Sequence, residues 1–160
     1  MSRSGSGGFS RPRGPHGPGR SEIGAPSGQT KSKSVFDPAK PLADLVDGLA
    51  EEQARMMPDH ANDRLNSNQL RRFFGDVKDL FRQLERGSDY GKQIEPSFKM
   101  IRSKANYAWR NCQRKKIPRE FYDFIENGVS KVKSEQDFRA FVRHFEAVVG
   151  FLYGLGKVGK

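Results

Sequence analysis

Eight lysines and arginines crowd the stretch from Pro96 to Arg119, and no acid stands among them: Lys99, Arg102, Lys104, Arg110, Arg114, Lys115, Lys116 and Arg119. At about 3.6 residues per turn, a helix here puts Phe98, Ile101, Ala105, Ala108, Trp109 and Cys112 on one narrow face. Lys99, Arg102, Asn106, Arg110 and Gln113 fall on the next face round, bordered by Arg114. Guanidinium and ammonium groups in such a row suit phosphate oxygens, which take charged hydrogen bonds at any sequence. A solvated basic face is the plainer alternative, but such faces usually interleave both signs of charge.

Two further basic sets lie elsewhere. Arg71, Lys78 and Arg82 form a stripe about 120° round from an apolar face, with Gly75 between them. A mid-helix glycine costs about 1 kcal/mol, so close approach by a phosphate backbone or a neighbouring subunit is a reason to keep it. Arg139 and Arg143 stand one turn apart near the C-terminus. Tyr107, with Met100 nearby, points away from the apolar stripe. It reads as a base-stacking or subunit-packing residue, or as an ordinary surface tyrosine.

Bond-making chemistry is poorly represented. The chain has no glycine-rich phosphate loop, no histidine pair at metal spacing, and no cysteine or serine in a nucleophile setting. His16, His60 and His144 are scattered and Cys112 is single. The expectation is no catalytic residue, no metal and no cofactor. His144 reads as a core or rim histidine, Cys112 as a small core residue, and Glu135 and Asp137 as cap residues.

The elements that must position the cations follow from periodicity. Leu70, Phe73, Phe74, Val77, Leu80, Phe81 and Leu84 make a helical apolar stripe behind the cap signal Asn66-Ser67-Asn68-Gln69. Phe138, Phe141, Val142, Phe145, Val148, Val149 and Leu152 repeat that spacing behind the capping-box-like Ser134-Glu135-Gln136-Asp137. Between them lie the basic helix, predicted over 96–116, and a helix from Pro118 to about Lys133, with Phe121, Phe124, Ile125, Val129 and Val132 inward. Pro41 opens a shorter acidic helix over 42–57, with Leu42, Leu45, Val46, Leu49 and Met56 on one face. No segment alternates with period two, so no sheet is expected. The predicted fold is all-α: a compact, Phe-rich bundle of four to five helices, its main part over 66–155.

The 160 residues carry a formal net charge of +10, which favours polyanionic partners. Half of the excess lies in residues 1–41, with seven basic and two acidic residues. This stretch is rich in Gly, Pro, Ser and Arg, and Arg3, Arg11, Arg13 and Arg20 resemble an arginine–glycine tail. It is predicted to be a disordered basic tail ahead of a bundle domain over 42–160. No apolar run reaches the roughly 18–20 residues of a membrane span, and no signal-peptide core opens the chain. The expectation is a cytoplasmic protein without a membrane partner.

Asn68-Gln69-Leu70-Arg71-Arg72-Phe73-Phe74, followed by Val77, resembles the first helix of the small subunit of type III-A CRISPR effector complexes, the Csm type. Lys104-Ala105-Asn106-Tyr107-Ala108-Trp109-Arg110 is similar to that family's Lys-x-x-Tyr-Ala-x-x-Arg segment, with Trp109 in the place where a glycine variant occurs. Phe138 to Tyr153 fits the family's last helix. The resemblance spans about residues 66–154.

That resemblance implies an all-helical antiviral-defence protein stacked in several copies along a ribonucleoprotein filament, beside backbone and large subunits. It implies phosphate contacts to crRNA and target RNA, with nuclease work left to other subunits. The residues expected to bind RNA are Arg71, Lys78, Arg82, Lys99, Arg102, Lys104, Asn106, Arg110, Arg114, Arg139 and Arg143. Tyr107 and Met100 are expected to serve stacking or subunit packing. The alternative is a helical structural adaptor whose basic faces bind acidic protein partners without touching nucleic acid.

Overall fold

Asn66 closes one end of the first long helix as its side chain accepts the Asn68 amide, 2.9 Å, while Gln69 reaches back to the Asn66 amide, 3.4 Å. This capping box satisfies donors that a helix start leaves open. The computed structural model describes Gly8, residues 34–110 and residues 116–159. The predicted tail, Cys112, Gln113 and Arg114 therefore lie wholly or mostly outside the described residues.

In chain order the elements are α1 (Leu42–Val46), α2 (Gly48–Arg55), β1 (Leu65–Asn66), α3 (Ser67–Glu85), a π-helical turn (Tyr90–Ile94), α4 (Glu95–Arg110), α5 (Arg119–Lys131), α6 (Glu135–Gly154) and β2 (Val158–Gly159). The fold is all-α in its main body, as the periodicity predicts. Ser134 and Asp137 cap α6 reciprocally at 3.1 Å each way. Both long helices end in a Schellman turn. At α3, Gly87 has φ 95°, and the Ser88 amide reaches the Gln83 carbonyl, 3.1 Å. At α6, Gly156 has φ 67°, and the Lys157 amide reaches the Leu152 carbonyl, 2.9 Å.

The core is built from phenylalanine. Phe36, Phe98, Phe121, Phe124, Phe138, Phe141 and Phe145 are fully buried. Edge-on ring pairs join them across elements, with Phe98–Phe138 and Phe124–Phe145 at 5.0 Å and Phe36–Phe141 at 5.2 Å. Such pairs add to the stabilisation from area alone. Gly128 of α5 lies so close to Phe141 of α6 that a Cβ there would meet the ring at 2.2 Å.

Three features depart from the sequence expectations. The helix over 42–57 is two helices, broken at Asp47 (φ −116°, ψ −105°) just before Gly48. The break re-phases the segment. Leu42 and Val46 are exposed, while Leu45, Ala50, Ala54 and Met57 are buried. A small sheet exists after all: β1 and β2 pair in parallel, Leu65 with Val158 and Asn66 with Gly159. Two-residue strands are too short to show an alternating pattern. Phe36 belongs to the core, although composition groups it with the tail. Its stretch is tied down by Lys131 Nζ on the Phe36 carbonyl, 2.7 Å, and by the Val35 amide on Gln53 Oε1, 3.1 Å.

The chain's end is held by a lysine. Lys157 is buried, and its ammonium donates to the carbonyls of Arg55, 2.7 Å, and Met57, 2.6 Å, with Asp59 at 3.1 Å. It thus satisfies carbonyls at and beyond the end of α2.

His144 is fully buried in the core. Its Nδ1–H donates to the Leu45 carbonyl, 2.5 Å, and Nε2 has no hydrogen-bond partner among the described residues. Burial pushes its pKa below the usual 6.5. Below about pH 6.5 the unfolded chain takes up a proton that the folded chain refuses, so stability must fall on acidification, by up to about 1.4 kcal/mol per pH unit. Urea midpoints at pH 7.5 and 5.5 should show this loss, and His144→Gln should shrink it. Gly128→Ala should destabilise by about 1–3 kcal/mol through overpacking against Phe141, read as a lower urea midpoint at unchanged slope.

Candidate nucleic-acid interface

Helix α4 is oriented by its inner face. Phe98, Ile101 and Ala105 are buried, which turns Lys99, Arg102, Lys104, Tyr107 and Arg110 outward. Tyr107 and Met100 are each 62% exposed. Asn106 is half-buried, and its amide reaches the Tyr122 hydroxyl at 3.4 Å.

The acid-free row on α4 is not free of acids in three dimensions. Lys99 pairs with Glu95 at 2.5 Å, on the first turn of the same helix. Arg102 pairs with Glu126 of α5 at 2.7 Å, and Lys104 with Asp76 of α3 at 2.9 Å. Exposed pairs of this kind are worth about 0–1 kcal/mol, so they orient the cations without locking them. Arg110 is held differently. Its guanidinium lies 5.0 Å from the Trp109 ring centre, as does that of Arg119. Trp109 in turn stacks on Tyr122 at 4.6 Å and 18°. Sequence periodicity puts Trp109 on the apolar face but carries no sign of this guanidinium–indole–phenol stack.

The stripe on α3 divides. Arg71 is exposed and, among the described residues, makes no ion pair. Arg82 pairs with Asp79 at 2.7 Å. Lys78 bridges to Glu146 of α6 at 3.2 Å and lies over the Phe81 ring at 5.7 Å. Arg139 and Arg143 of α6 approach the same ring at 5.7 and 5.8 Å. Arg139 also pairs with Glu85 and, at 2.8 Å, with Glu135. Lys78, Arg139 and Arg143 are thus brought together as a cation cluster clasping α3 to α6, while Arg114 lies outside the described residues.

Gly75 has open space where a Cβ would stand. Among the described residues, no neighbour explains the glycine. Arg72 is a residue that stripe periodicity does not single out. It lines a groove of 710 Å³ between α3 and α4, with Phe73, Lys104 and Tyr107. The signal for it is the Arg71-Arg72 doublet, whose second member lies one helical step nearer to α4.

Among the described residues, no helix is long and apolar enough to cross a membrane, and no cluster of His, Cys, Asp or Glu is arranged to hold a metal. Fold and surface together define a small helical bundle with a basic outer face. The model of a protein family, Csm2 Type III-A, matches residues 40–153. The chain belongs to that family and is a small subunit of a type III-A CRISPR effector. Comparisons with curated proteins and with solved structures returned no match.

Gly75→Ala should stabilise the isolated chain by about 0.5–1 kcal/mol, since the helix gains propensity and nothing is displaced. A rise in thermal midpoint checks this, and a drop would show that the site is tighter than its geometry.

Proposed function

We propose that this chain is a non-catalytic RNA-holding subunit of its effector, working in the cytoplasm. In this reading the outer face of α4 grips phosphates of crRNA and target RNA through Lys99, Arg102, Lys104 and Arg110. Arg71 and Arg82 extend the contact on α3, and Arg114, outside the described residues, is assigned to it from its type and place in the sequence. The observation that carries the reading is the exposed cation row on α4, held among the described residues by ion pairs and a tryptophan stack, in a member of an RNA-guided effector family. A phosphate displaces a surface carboxylate at little cost, because each exposed pair contributes so little. Phosphate contacts set position, and guide pairing supplies sequence.

Lys78, Arg139 and Arg143 act chiefly as the α3–α6 clasp in this reading, since each already faces carboxylates and the Phe81 ring. Copies of the chain stack beside backbone and large subunits through exposed apolar side chains such as Met100. One observation favours the adaptor reading: Arg102 and Lys104 already take carboxylate partners, as an acidic protein surface would offer.

Salt dependence separates the two. Single-stranded RNA binding should weaken with salt, and the log–log slope should become shallower by about 0.7 for each phosphate that the protein no longer neutralises. Arg102→Ala with Arg110→Ala should therefore lower the slope by about 1.4. An unchanged affinity and slope in a titration from low to moderate salt would remove α4 from the interface.

A further inference from the structure

Resting on the RNA-holding reading, we propose that the groove between α3 and α4 is a nucleobase site, which takes one unpaired base of a strand whose phosphates run over α4. The groove holds 710 Å³, within the range of small-ligand pockets. Its lining has the chemistry that a base requires. Phe73 is nearly buried and supplies an apolar floor, while Asn68 offers an amide that both donates and accepts along a base edge. Arg72 lines the groove and, among the described residues, has no ion-pair partner. A guanidinium in that position stacks on a base or meets its phosphate.

Tyr107 decides the argument. Its ring is 62% exposed and, among the described residues, stacks on no other aromatic. It lines this groove and also a shallower depression with Lys99, Arg102 and Asn106. The phenol therefore stands between a cationic depression suited to phosphate and an aromatic–amide groove suited to a base. A single-stranded nucleotide spans such a divide with its phosphate on one side and its base on the other. A fully paired duplex keeps its bases stacked inside and has none to offer, so the site distinguishes unpaired from paired segments.

The test uses the full-length chain and a short labelled single-stranded RNA, beside the same RNA carrying abasic ribose throughout. Tyr107→Ala should weaken binding of the intact strand by about 5- to 100-fold. It should leave the salt slope and the affinity for the abasic strand unchanged, and Tyr107→Phe should retain most of the binding. Equal weakening for intact and abasic strands, or none for either, overturns the base site, since the ring then serves backbone or protein packing. A saturable displacement of the strand by micromolar adenosine monophosphate also overturns it, because the groove would then take a free nucleotide. Failure of the unmutated chain to bind either strand at low salt is a different result: it removes the RNA-holding reading on which the site rests.

Discussion

The Phe141 ring seated against Gly128 is the contact on which the rest of the bundle depends. With no side chain at 128, α5 comes close enough to α6 for the ring to fill the gap. The same ring meets Phe36, Phe98, Phe124 and Phe145, which come from the N-terminal stretch, α4, α5 and α6 itself. One residue thus sets the distances between several elements. Because interiors are packed at crystal-like density, a shift at this point is carried outward to each of them. The direction of the α4 outer face follows from it, since Phe98 is fixed by Phe141 and Phe138 at 5.5 and 5.0 Å.

Electrostatics divide the surface into two kinds of cation. Lys78, Arg139 and Arg143 gather over Phe81 with Glu85, Glu135 and Glu146 around them, and aromatic face, carboxylate and cation each satisfy part of the next. Removing one member leaves the others facing like charge. Such a network resists exchange with an outside ligand. Among the described residues, each paired cation on α4 has one ion-pair partner, and the cation itself is about half exposed. Its partner is replaceable, and screening by salt weakens what holds it. The difference lies in neighbours, not in residue type.

That difference is out of reach of the sequence, and the reason is physical. Periodicity and capping are local, so the boundaries of α3 and α6, their caps at Asn66 and Ser134, and the inward phenylalanines are readable within a window of a few turns. The acids opposite Arg102 and Lys104 come from α5 and α3, and no pattern within α4 announces them. Phe36 sits in a stretch of low apolar content, and its ring neighbours Phe141 and His144 lie on α6, about a hundred residues later in the chain. Lys157 is a buried ammonium whose partners, near the end of α2, lie about a hundred residues earlier in the chain. The same holds for the strand pair. Within the site, exposure of Tyr107 and Met100 is legible from helical phase, while the groove beside Tyr107 and the place of Arg72 in its lining need two helices in register.

The proposed interface gains from the way α4 is held. Its buried stripe of Phe98, Ile101 and Ala105 closes on the core and leaves almost no surface to solvent. Its outer residues are therefore spaced by helix geometry alone, about 1.5 Å per residue along the axis, so Lys99 and Arg110 are about 16 Å apart. In the proposed interface a rigid row of that length would preset where phosphates sit, with little ordering entropy left to lose on binding apart from the side chains themselves. The Trp109 stack extends the same advantage to Arg110, whose guanidinium is already placed by the indole rather than left to search. Rigidity below and exchangeable pairs above form a combination suited to holding a strand whose sequence is read by something else.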